Sequence, residues 1–141
     1  MRLLTDPTRG LSKRSAGSSL PTVKLLLENL PPSLHAQRET LAKCIEAMHA
    51  ALPLRQVILF GSHARGEARA DSDVDLCLVS DGAERQLAAA EQWRGAMWQV
   101  RPKVSFTLIP ITPARLGEKT ACGDFFFTAI IKEGVPLATE D

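Results

Sequence analysis

Two apolar, β-branched runs, "RQVILF" ending at Gly61 and "DSDVDLCLVS" from Asp71, bracket a short polar segment, and this alone fixes much of the fold. The first run reads as a buried strand entering a tight turn. "SHARGEA" is material for one or two helical turns, with Ser62 near the N-cap. In the second run the strand period of two sends Val74, Leu76 and Leu78 to one face and Asp73, Asp75 and Cys77 to the other. The chain thus leaves a strand, makes a Gly-Ser turn, and returns with two aspartates spaced i, i+2.

Further elements follow the same logic. "GAERQLAAAEQWRGAMW" has helix-favouring density, with Gly95 near its end. "KVSFTLIP" predicts a third strand, with Val104, Phe106 and Leu108 on the core face and Lys103, Ser105 and Thr107 opposite. Beyond it Thr112 and Pro113 look like an N-cap and first helical residue, and Gly134 like a helix stop. Upstream, "TVKLLLENLPP" predicts a short helix ending before Pro31. A longer helix is expected over Ser33 to Ala51, burying Leu34, Leu41, Ile45, Met48 and Leu52 as one stripe. His35 reads as a surface residue. The aromatic residues Trp93, Trp98 and Phe125 to Phe127 are expected mainly in the core.

With 141 residues, one folded domain over 21–141 is the default, preceded by an arm over 1–20 that is too rich in Gly, Ser and Pro to bury a face. Balanced charge, 17 basic against 16 acidic residues, gives no general attraction to nucleic acid or to a membrane surface. Cys44, Cys77 and Cys122 lack disulfide or zinc spacing and suit reduced thiols. No stretch approaches the apolar length of a membrane span, so the cytoplasm is expected.

A helix start after a Gly-Ser turn presents unpaired N–H groups and a positive dipole end, to which Ser62 adds a hydroxyl; this suits phosphate oxygens, although helix capping is the simpler reading. Asp73 and Asp75 on one strand face would lie about 6 to 7 Å apart. Two buried like charges need a cation, and hard oxygen ligands beside phosphates suit Mg²⁺. The alternative is a solvated turn, because "ADSDVD" is turn-rich. Arg65 and Arg69 are placed to neutralise phosphate charge, Arg65 the more directly. His63 follows Ser62 but points elsewhere on a helix.

Gly61, Ser62, ten intervening residues, then Asp73, Val74 and Asp75 match "GSx10DxD", and the chain resembles the DNA polymerase β-like nucleotidyltransferase superfamily. The stretch "LFGSHARGEARADSDVDLCLV" looks most like its minimal nucleotidyltransferase (MNT) branch. The resemblance spans about Leu34 to Ala138. It implies an α/β (α+β) fold with a mixed sheet of four or five strands and helices packed mainly on one face. It also implies triphosphate held at Gly61 and Ser62, and Mg²⁺ or Mn²⁺ bound by Asp73 and Asp75. The activity implied is transfer of a nucleoside monophosphate, commonly AMP from ATP, to a hydroxyl of a protein, RNA or small molecule. Several such proteins act as antitoxins beside a separately encoded helical HEPN partner; a homo-oligomer is a further option.

One departure from that pattern bears on turnover. The resemblance implies a third carboxylate on the next strand, in a "KVDLV"-like run, and here the position is Ser105. Serine can donate a hydrogen bond but is neither an anionic ligand nor an effective base at neutral pH. No acidic residue occurs from Gln92 to Gly117, so a replacement would come from Glu118, Asp124 or a partner. Two expectations follow: an enzyme, or a nucleotide-binding module or antitoxin subunit that keeps the fold without turnover.

Overall fold

The computed structural model describes residues 22–141; the arm expected over 1–20 lies outside them. Among the described residues five strands, β1 (Val23–Leu25), β2 (Gln56–Phe60), β3 (Val74–Val79), β4 (Phe106–Ile111) and β5 (Val135–Glu140), form one sheet in the order β1-β5-β2-β3-β4. Among the described residues only β3 and β4 pair in parallel. Parallel neighbours require a crossover connection, which here carries helix α3 (Gln86–Ala96). The result is the mixed α/β sheet expected.

Apolar residues cover both faces of the central strands. On one face α1 (Arg38–Ala51) and α3 bury Leu41, Ile45, Met48 and Trp93 against Val57, Leu59, Leu76 and Leu78. This is the principal core. On the other face Phe127 and Ile130 of α5 (Phe125–Glu133) form a smaller cluster with Ile58, Cys77, Val79 and Ile111, flanked by Leu116 of α4 (Pro113–Ala121). That second covering thins along β3: Val79 and Cys77 are buried, Asp75 is half-buried, and Asp73 is exposed. The strand end bearing the carboxylates is therefore open to solvent. Burial pushes the Cys77 thiol up to about 12, so it remains a protonated packing group.

Two local expectations are corrected. Val23–Leu25 is a strand rather than a helix, because its backbone pairs with Ala138–Glu140 at the sheet edge; only Leu27–Asn29 makes a 3-10 turn. The helix expected from Ser33 begins as a 3-10 segment, Pro32–Gln37, and turns α-helical at Arg38. Downstream of Thr112, whose Oγ1 accepts the Arg115 N–H at 3.1 Å, the chain breaks at Gly123 (φ 76°). Asp124 then caps α5 by accepting from Phe127 N at 2.9 Å.

The aromatic residues divide. Trp93 is fully buried and donates from Nε1 to the Leu52 carbonyl at 3.0 Å, and Phe127 is buried, whereas Trp98, Phe125 and Phe126 are exposed. The expectation that aromatic residues lie mainly in the core fails for these three: Trp98 lies in the turn after α3, and the 100° helical step turns Phe125 and Phe126 outward when Phe127 and Ile130 face the sheet. Among the described residues no helix is long and apolar enough to cross a membrane. Trp93→Ala is expected to cost about 3–5 kcal/mol in urea denaturation, against less than about 1 kcal/mol for Trp98→Ala. Equal losses would contradict this division of the core.

Candidate functional site

β2 ends at Phe60, and Gly61 adopts φ 76°, a left-handed conformation that glycine enters without steric cost. This turns the chain directly into the short helix α2 (Gly61–Arg65). Gly66, at φ 75°, stops α2, with its N–H bonded to the His63 carbonyl at 3.2 Å and Glu67 N bonded to the Ser62 carbonyl at 2.8 Å. A turn then forms as Arg69 N donates to Ser72 Oγ at 2.8 Å and Ser72 N to the Arg69 carbonyl at 3.1 Å. One stopped helix and one side-chain-bonded turn thus account for the ten residues between Ser62 and Asp73. Ser62 is the second residue of α2, not its N-cap. Phe60 occupies the flanking position, and among the described residues no side chain caps the helix start.

Phe60 and Asp75 are direct partners in the β2–β3 ladder, so their side chains share a sheet face. Gly61 comes closer still. A β-carbon built on it would lie 2.9 Å from the Asp75 carboxyl carbon and would collide with Oδ2. The Gly-Ser turn and the Asp75 carboxylate are in contact only because Gly61 has no side chain. Val74 points into the principal core, as the expected alternation requires. The burial expected for both aspartates holds only in part: Asp75 is half-buried, and Asp73 precedes the strand in solvent. Among the described residues neither carboxylate has a cationic partner.

On the neighbouring strand Thr107 stands beside Asp75, and the Ser105 carbonyl accepts the Val74 N–H at 2.9 Å. The position expected to carry a third carboxylate therefore adjoins the pair and bears a hydroxyl. Thr107 adds a second hydroxyl position, which periodicity alone could not align with Asp75. Among the described residues no three His, Cys, Asp or Glu side chains gather into a metal cluster. Asp124 is engaged elsewhere, capping α5 and lying 3.7 Å from Lys119 Nζ. Glu118 lines a separate cavity with Glu84, Gln86 and Arg115.

The remaining candidates have clear geometry. Arg65 is exposed and donates from Nε to Glu67 Oε1 at 3.0 Å. Surface pairs of this kind contribute little and exchange readily for another anion. His63 is buried, with Nδ1 2.8 Å from Ser33 Oγ and Nε2 3.4 Å from the Ser72 carbonyl. It clips α2 to the upstream 3-10 segment and to the turn before β3.

A family model described as a nucleotidyltransferase domain matches residues 41–128, more than half the chain and the whole of this constellation. The chain belongs to the nucleotidyltransferase domain family. A crystal structure of a candidate nucleotidyltransferase from Sulfolobus solfataricus is 23% identical with a TM-score of 0.45, covering 63% of this chain and 76% of that one. No curated protein matches the chain. Family membership supports nucleotidyl transfer in general, with a nucleotide substrate. In this nucleotidyltransferase-family chain the glycines separate two effects. Gly66→Ala, with nothing within 4 Å of its β-carbon, is expected to cost about 1–2 kcal/mol for the left-handed backbone alone. Gly61→Ala adds the collision with Asp75 and should cost measurably more on chemical denaturation; equal costs would contradict the close approach.

Proposed function

We propose that the protein is a nucleotidyltransferase of the MNT type, which binds MgATP and transfers AMP to a hydroxyl of a partner protein or another acceptor. The observation that carries this reading is the contact between the Gly61 turn and the Asp75 carboxylate. It brings backbone N–H groups and an anionic oxygen within the span of one phosphate chain.

In this reading the phosphates lie along Gly61 and Ser62, where uncapped N–H groups and the Ser62 hydroxyl donate, and Arg65 leaves Glu67 to pair with phosphate oxygen. The carboxylates fit a divalent cation: their oxygens are hard donors, no lysine or arginine among the described residues neutralises them, and phosphate oxygens complete such a site. Asp73 and Asp75 would hold Mg²⁺ or Mn²⁺, which when bound supplies charge neutralisation at the phosphates. The acceptor oxygen forms a bond to the α-phosphorus as the bond to pyrophosphate breaks. Ser105 and Thr107 can orient the acceptor by hydrogen bonds, but neither takes its proton effectively.

That last point supports a second reading, in which the chain is a nucleotide-binding module or antitoxin subunit without turnover. Its support is the hydroxyl at Ser105 together with the lack of a three-carboxylate group among the described residues. A HEPN-type helical protein is the proposed partner in either case, with a homo-oligomer as the other arrangement.

Incubation with α-labelled ATP, Mg²⁺ or Mn²⁺ and the product of the adjacent gene separates the two readings. Label on the partner, lost in Asp75→Asn, is expected for the enzyme; ATP binding without transfer is expected for the module. Ser105→Asp is expected to raise transfer by about 10²- to 10⁴-fold if a missing base limits the rate. No gain in a variant that still binds MgATP would rule out that limitation.

A further inference from the structure

Phe126 is half exposed, at 47%, although its neighbour Phe127 is buried in the second cluster. Its ring is not isolated. It packs edge to face on Phe60, with centroids 5.7 Å apart and planes at 89°. Phe60 is in turn the ladder partner of Asp75 and the residue before Gly61. An unbroken line therefore runs from an open aromatic ring through a half-buried one to the candidate carboxylate. α5 is held in this position by packing against both β2 and α2.

We propose that Phe126, backed by Phe60, is a shelf on which the base of the bound nucleotide stacks. The proposal rests on the nucleotide reading above and adds to it the subsite for the base. Cross-strand β-carbons lie about 5 Å apart, so with the ring spacing the Phe126 ring sits on the order of 10 Å from Asp75. A ribose with one or two phosphates bridges such a gap.

Chemistry favours a flat aromatic ligand. The edge-to-face contact locks Phe126 against Phe60, so little freedom is lost when a third ring stacks on it. Among the described residues no charged side chain lies over it, whereas Trp98, another exposed aromatic residue, has Lys103 Nζ 4.6 Å above its ring and lines a cavity together with Phe106 of the principal core. Stacking on a phenyl ring does not read base edges, so the shelf accepts any base and contributes affinity rather than selection.

The test compares equilibrium binding of ATP and of inorganic tripolyphosphate, both with Mg²⁺, to the full chain and its variants. Phe126→Ala is expected to weaken ATP binding by about 5- to 150-fold, the range for loss of one base–aromatic stack, and to leave tripolyphosphate binding unchanged. Phe126→Leu, which keeps apolar bulk against Phe60, should lose most of the same factor, and Phe126→Trp should retain ATP affinity. Phe125→Ala, at a ring 91% exposed one residue earlier, should change neither ligand. Unchanged ATP affinity in Phe126→Ala overturns the shelf, as does an equal loss of both ligands. Equal affinity of the unmodified protein for ATP and tripolyphosphate also overturns the shelf but leaves the phosphate site standing. If the unmodified protein binds neither ligand, the nucleotide reading falls and the shelf with it.

Discussion

The closeness of Gly61 to Asp75 governs the arrangement of this protein's candidate site. A side chain at residue 61 would occupy the space of the Asp75 carboxylate, so the strand-to-helix turn and the acidic strand end meet only at a glycine. The left-handed φ of 76° there is also what swings α2 out of β2 without an intervening loop. Steric and conformational demands thus coincide on one residue.

The surrounding structure holds that contact in place. β2 is paired along its whole length with β3, which fixes Phe60 opposite Asp75, and buried His63 clips α2 to the segments beside it. The principal core lies on the opposite face, where α1 and α3 make the sheet stiff without covering the carboxylates. The smaller cluster stops short of them, leaving Asp75 half-buried and Asp73 in water. A site open at one edge suits a ligand that brings its own negative charge and counter-ion. A fully enclosed pair of carboxylates without a cation would instead be driven to neutralise.

Hydroxyls at Ser105 and Thr107 set this chain apart from the three-carboxylate pattern it resembles. Thr107 stands beside Asp75 in the parallel β3–β4 ladder, and the carbonyl of Ser105 just before it accepts the Val74 N–H, so the geometry of the position is kept while its charge is absent. Retaining the scaffold with reduced charge lowers like-charge repulsion around the pair. In the nucleotide reading proposed above, it would also reduce the pull on a cation and leave more of that cation's binding to the phosphates.

The two strands around the Gly-Ser turn, the spacing to Asp73 and Asp75, and the facing of Val74, Leu76 and Leu78 were legible in the amino-acid order, because each depends on a local period or a turn residue. So was the family, whose pattern is written in those same residues and is matched over residues 41–128. Tertiary structure alone decided the rest. Val23–Leu25 became a strand because β5, more than a hundred residues away, offered an edge to pair with. Phe60 became the neighbour of Asp75 and Thr107 its flank through registers that no single strand encodes. Phe126 was left half in solvent, resting on Phe60, because Phe127 and Ile130 take the face of α5 that meets the sheet. Local sequence specifies what a segment can form, whereas pairing between distant segments determines which side chains meet.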